Sequence, residues 1–257
     1  MTPWMKARVG ARLLLLQARW DPARMQGPGF AFALEPWLET CWAGDPDGLR
    51  AARRRHLEYF NTHPIAAWLT AGVVCRLEAA AAVSSGAARE ATVAKIRSLK
   101  TSLGATLAGL YDSFFWGGLR PASALAGVLA AQAAYHFGFA HAIRWGLLTA
   151  LVLYNVPAFA ARAAGLRRGW EEGEGAVVAL CRLPVQSCIL GLRRAVVGGA
   201  VLSFGFGAVL HGREELMTAG LVFAAGLFLA RRGWSPLAQI GFAGAGGMAA
   251  SFAGFWP

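Results

Sequence analysis

Charged side chains are scarce in this chain. They make up 15% of its 257 residues; 14 of them are acidic, and three of the basic ones are lysines. A soluble domain usually carries about a quarter charged residues. With 56% hydrophobic residues and a mean hydropathy of +0.43, the composition excludes an ordinary soluble domain. Cysteine is scarce too. Cys41, Cys75, Cys181 and Cys188 are too few and too scattered for a disulfide framework or a paired-cysteine metal site, and read as small apolar fillers. Soluble-enzyme signatures are missing: there is no P-loop, no His-Glu-x-x-His and no Gly-x-Ser-x-Gly. His136 and His141 are five apart, on different helical faces, and make a poor metal pair. Asp112-Ser113 has no histidine beside it to make a triad. No catalytic residue, metal or cofactor is therefore expected.

The net charge of +11 does not point to nucleic acid, because no recognition motif accompanies it. The basic residues sit beside apolar runs, at Lys6 to Arg24, Arg50 to Arg55, Arg162 to Arg168, Arg193–Arg194 and Arg231–Arg232. Such clusters follow the positive-inside rule and contact anionic lipid headgroups. Four leucines at 13–16 faintly imitate a signal peptide, but the apolar stretch is short and no small-residue cleavage site follows. The N-terminus is expected to be retained and cytoplasmic.

Long apolar runs fill the rest. Residues 101–119 carry one charge, while 121–143 and 145–161 carry none. Each is near the roughly 17–25 residues that cross a bilayer as a helix. Shorter runs at 195–210 and 216–230 become spans if flanking arginines snorkel, and a last segment covers 236–256. The fold class is all-α: a polytopic helical membrane bundle with re-entrant or discontinuous helices and amphipathic N-terminal helices.

Local signals divide the chain. Residues 1–12 read as a ragged basic leader. Residues 13–43 read as two short amphipathic helices broken at Gly27-Pro28-Gly29. The aspartates of Asp45-Pro46-Asp47-Gly48 cap a basic helix from Leu49 to Phe60. Pro64 ends or kinks it at Asn61–His63, leaving free carbonyls and polar side chains. An ordinary proline-stopped helix end and a discontinuous transporter helix both fit. A helix over 65–83, interrupted by Arg76 and Glu78, suits re-entrant insertion. A basic helix over 87–100 leads into two spans joined at Arg120-Pro121, and Tyr154-Asn155-Val156-Pro157 gives another polar break. The chain reads as one domain over 1–257. Cytoplasmic-side helices occupy 13–60, core transport segments 61–161, a cytoplasmic connector 162–194, and the last transmembrane segments 195–257. Charge counting puts 162–194 inside, 211–215 outside and the C-terminus outside. Ala243, Gly247 and Ser251 form a small-residue packing stripe.

One polar concentration stands out in an apolar chain. Asn61, Thr62, His63, Glu78 and Asp112 lie near Trp68, Phe114, Phe115 and Trp116 in sequence. Carboxylates and amides match a sugar's hydroxyls, and an aromatic ring covers its apolar face. An ionisable group within a span marks a functional site by default. A structural ion pair of Glu78 with Arg76 or Arg97 is the competing reading of that carboxylate.

The stretches HLEYFNTHP (56–64), GVVCRLE (72–78) and LAGLYDSFFWGGLRP (107–121) are similar to those of the IID membrane subunit of mannose/fructose/sorbose-type sugar phosphotransferase systems. ARMQGPGFAFALEPWL (23–38), LYNVPAFAARAAGLRRGWEEG (153–173) and RRGWSPLAQIGFAGAGGMAASFAGF (231–255) resemble further parts of it, in order, over roughly 14–257. The resemblance implies a non-enzymatic, multi-pass subunit of the bacterial plasma membrane with an elevator-like moving part. It implies an obligate IIC partner and a multimer of IIC–IID pairs. Cytoplasmic IIB and IIA would phosphorylate the incoming hexose-type sugar on their own histidines. Asn61, Thr62, His63, Glu78, Asp112 and Trp116 are the substrate-binding candidates. The family pattern MGPLAGIGDS reads GATLAGLYDS at 104–113, with Ala105, Thr106 and Tyr111 in place of Gly, Pro and Gly. Glu78 is followed by Ala79 and Ala80 instead of further glutamates, and YNIPH ends in Ala158. These departures leave open a degenerate subunit with a regulatory or assembly role and no sugar flux.

Overall fold

The computed structural model describes residues 1–211. Apart from isolated bridges of Met25 with Asp21 and Phe60, regular structure in these residues is helical. The expected segments at 216–230 and 236–256, the small-residue stripe and the C-terminal topology lie outside the described residues.

The helices are α1 (Pro3–Leu13), α2 (Gly27–Cys41), α3 (Pro46–Leu57), α4 (Ala66–Val83) and α5 (Gly86–Tyr111). A π-helical segment (Asp112–Leu119) leads directly into α6 (Arg120–His136), followed by α7 (Ala142–Glu172), α8 (Glu174–Cys181) and α9 (Val185–His211). Among the described residues, three stretches are long and apolar enough to cross a membrane: Ala66–Val83, Ala142–Glu172 and Val185–Ser203. They differ in their surroundings. Two thirds of the first is buried within the protein, but only 6% and 11% of the apolar windows of the other two. Leu148, Leu151, Val156 and Phe159 on α7 and Val197 and Val201 on α9 are exposed, a surface that water would not tolerate.

Contacts divide the chain into two units, one of residues 1–126 and 148–196, the other of 127–147 and from 197 on. In the first, Asp45 caps α3 as expected: its carboxylate accepts from the Gly48 amide at 2.8 Å, which holds its pKa below the ordinary value. One core gathers Phe30, Leu34, Leu38, Trp42, Ala52, Phe60 and Val74 from α2, α3, α4 and the loops between them. A second gathers Ile65, Leu69, Val73, Leu107, Tyr111 and Phe115. Helices α4 and α7 meet at glycines. A Cβ on Gly169 would lie 2.9 Å from the Val73 nitrogen, and one on Gly72 2.9 Å from the Gly169 Cα. In the second unit Gln132 on α6 donates to the Ser203 carbonyl at 3.2 Å and accepts from its hydroxyl at 3.0 Å.

Several expected boundaries move. Residues 3–13 form a helix capped by Thr2, with Val9, Gly10 and Leu13 buried, because an apolar face every three or four residues is hidden among the arginines. Residues 14–26 are turns rather than a helix. The basic helix stops at Leu57, three residues before the expected end. Arg120-Pro121 makes no turn. Pro121 follows the π segment inside continuous helical backbone, near the start of α6, where a missing amide is tolerated. Pro157 likewise lies inside α7, and Asn155 donates to the Leu151 carbonyl.

Candidate functional site

Extended backbone runs from Glu58 to Pro64, and side chains fasten it from both sides. Gln26, 2% exposed, donates to the Thr62 carbonyl at 2.7 Å and accepts from the Thr62 amide at 3.0 Å. A Cβ on Gly104 would stand 3.1 Å from the Asn61 carbonyl oxygen, so glycine there lets α5 approach the loop. These contacts turn Thr62 and His63 inward and leave Asn61 exposed.

His63 sits at the centre of a ring cluster. Its centroid lies 5.9 Å from Tyr111, 5.6 Å from Phe115 and 5.0 Å from Trp116. In an α-helix, residues 111 and 115 share a face, but residue 116 points about 140° away from 111. The π winding removes that offset, because its i→i+5 bonding places 116 over 111. The Arg120 amide bonds to the Phe115 carbonyl in this pattern. Three rings of one segment thereby converge on one imidazole.

The protonation of His63 follows from its surroundings. Burial, with the Arg162 charge nearby, lowers its pKa to about 4, so the imidazole is neutral at physiological pH. Nδ1 accepts from the Ile65 amide at 3.1 Å, which leaves the proton on Nε2. Among the described residues that buried Nε2–H has no partner, and neither has the Thr62 hydroxyl. Buried donors are rarely left unmade, so both are available to a ligand. Asp112 begins the π segment. It is half-buried, and among the described residues its carboxylate has no hydrogen-bond or ion-pair partner. Arg162 on α7 lies over the Phe159 ring at 5.2 Å and makes no ion pair among the described residues. Trp116 is half exposed.

Glu78 is held elsewhere. It is fully buried, and its carboxylate accepts from Arg55 Nε and Nη2, both at 2.6 Å. His56 Nε2 lies at 2.8 Å and Trp42 Nε1 at 2.9 Å. Lys100 donates to the Arg55 carbonyl at 2.6 Å, and burial brings its pKa down to about 8. Arg76 instead donates to the Trp170 and Glu171 carbonyls, and Arg97 pairs with Glu58. Twelve residues of α4 separate Ala66 from Glu78, about 18 Å of axial rise. The structure therefore joins His63 and Trp116, sets the loop residues Asn61 and Thr62 beside them, and sets Glu78 apart. Sequence reading passed over Gln26, Arg55, Tyr111 and Arg162 as contributors. Gln26 and Arg55 lie within quoted or basic stretches, but nothing local shows which groups they meet.

Known proteins resemble much of the chain. The mannose-specific EIID component of the phosphotransferase system (PTS) of Escherichia coli K12 is 33% identical over 159 residues, 62% of this chain and 52% of that protein. The fructose permease IID component of Bacillus subtilis 168 is 32% identical over 58% of this chain and 50% of its own length. The chain thus spans about half the length of these curated relatives. Two solved structures align over 99% of this chain and 96% of theirs. One is described as a membrane protein, with TM-score 0.68 and 26% identity; the other is from the complex of the mannose transporter ManYZ with microcin E492, with TM-score 0.58 and 25% identity. The family model for the PTS mannose/fructose/sorbose IID component matches residues 3–202. The chain belongs to the PTS mannose/fructose/sorbose family of IID components.

Proposed function

We propose that this chain is the IID half of a sugar-conducting unit, pairing with a IIC subunit in the bacterial plasma membrane. It would bind a hexose-type sugar that IIB and IIA phosphorylate at the cytoplasmic face, so it would itself carry no catalytic group. The observation that carries this reading is the neutral, buried His63, ringed by Tyr111, Phe115 and Trp116, whose Nε2–H has no partner among the described residues; Asp112, likewise without a partner among them, follows Tyr111 in the chain. Hydroxyls need a donor and an acceptor, and Trp116 offers a ring face. Asn61 and Thr62 would contribute from the clamped loop, while Glu78 would hold the frame that positions it. The exposed apolar faces of α7 and α9 support burial against lipid and the partner subunit. They also support the expected multimer of IIC–IID pairs.

A second reading, a non-transporting subunit for regulation or assembly, draws on Tyr111. Its side chain is 8% exposed and packs directly against His63. The test is binding of mannose, fructose and sorbose to the complex purified from membranes, normalised to folded protein. Asp112→Ala should weaken the best ligand roughly 10- to 100-fold, since hydrogen bonds to charged groups contribute about 1.5–3 kcal/mol; His63→Leu removes a neutral donor, at about 0.5–1.5 kcal/mol, and should weaken it roughly 2- to 10-fold. Binding of none of the three sugars by the parent favours the second reading.

A further inference from the structure

We infer that Tyr111 sets the specificity of the sugar site, a step that rests on the sugar-binding reading above. Two spaces meet at this residue. On one side its ring lies against His63, in the cluster completed by Phe115 and Trp116. On the other side Tyr111 and Phe115 line a partly open apolar pocket of about 340 Å³, whose lining also includes Ala161, Leu180, Pro184 and Cys188. The two rings are stacked, 5.6 Å apart with 23° between their planes; both contact the His63 ring and both line the apolar pocket, so they stand between the two.

The cavity is large for its chemistry. An apolar cavity of about 150 Å³ takes up a benzene ring, so this one has room for the aryl or branched alkyl group of a glycoside. Such a group would gain from leaving water for carbon-lined space. With the partition in place it has no route there from the sugar site. Tyr111 therefore restricts the site to free sugars and excludes glycosides with a bulky apolar aglycone. Phe115 cannot play this part alone, because its own position depends on the Tyr111 ring stacked on it and on Phe114, 5.0 Å away edge-to-face.

The experiment compares the best-bound of mannose, fructose and sorbose with its 4-nitrophenyl glycoside on the membrane-purified complex. The parent should bind the glycoside at least about tenfold more weakly than the sugar. Tyr111→Ala should raise the affinity for the glycoside relative to that for the free sugar by about tenfold or more. Tyr111→Phe keeps the ring and should keep the parent ratio. Cys188, exposed and on the cavity lining, provides an independent readout. In Tyr111→Ala the glycoside should slow site-resolved alkylation of Cys188 but not of Cys181, and in the parent it should slow neither. Should Tyr111→Ala not fold, Tyr111→Leu carries the same two measurements. An unchanged ratio with unprotected Cys188, in a variant that still binds free sugar, overturns the specificity role and leaves the sugar site standing. A parent that binds none of the three sugars overturns both.

Discussion

Removing the Glu78 carboxylate should destabilise the protein far more than it alters its chemistry. Four donors converge on that group: two from Arg55 and one each from His56 and Trp42, at 2.6 to 2.9 Å. Arg55 is 3% exposed, so in Glu78→Leu its guanidinium remains buried without an anion, near the buried Lys100 ammonium. Stranding one member of a buried pair costs about 3–5 kcal/mol. For a chain of this size each kcal/mol moves the thermal midpoint by about 2–4 °C. Glu78→Leu should therefore melt roughly 6–20 °C below the parent. Arg55→Met alone, which strands the carboxylate, should do similar harm. The double variant should recover more than half of the loss, because an apolar pair of similar volume needs no counter-charge. The assay is the thermal midpoint of the monodisperse, membrane-purified complex, followed by fluorescence-detected size exclusion. Single variants melting within about 2 °C of the parent would refute the framework role. So would a Glu78→Leu protein that melts like the parent but has lost sugar affinity tenfold, since the carboxylate would then be touching ligand.

Two further outcomes follow from the same packing. Burial holds His56 neutral, with a pKa below its ordinary value of about 6.5. Unfolded chains take up that proton first as pH falls, so the stability is intact above about 6.5 and is lost progressively below it; melting from pH 8 to 5 should show this fall, and His56→Gln should lessen it, leaving the part due to His63, whose pKa burial also lowers. Gly169→Leu should lower the thermal midpoint by several degrees, since its side chain would enter the backbone of α4 at Val73; overpacking of this kind costs about 1–3 kcal/mol. A Gly169→Leu protein as stable as the parent would mean that α4 and α7 do not approach there.

Helix content, the Asp45 cap and the helix over 66–83 were legible in the sequence because each rests on residues close together in the chain. The convergence of Trp116 with Tyr111 was not. It depends on π winding, whereas the local signal at Arg120-Pro121 reads as a turn between two spans. The pairing of Arg55 with Glu78, 23 residues apart, was also hidden. Arg55 belongs to a basic run that looks solvated as a whole, yet only this member points into the core while Arg54 stays exposed. The polar loop 61–63 was visible as a proline-terminated break. Its inward turn was not, since it depends on Gln26 reaching back 36 positions.

The π segment also makes the chain unequally tolerant of changes in its length. A helix wound in this way holds a residue more than its turns require, as an insertion would leave it. Losing one residue between Asp112 and Leu119 would relax the winding to α and keep the faces of α5 and α6 aligned. Trp116 would then swing off His63, so the scaffold would survive while the ring cluster came apart. The same loss a few positions earlier or later would rotate everything beyond it by about 100°, turning buried faces outward. Register drift between related chains would therefore be absorbed here, at the one stretch where it touches the site and spares the scaffold.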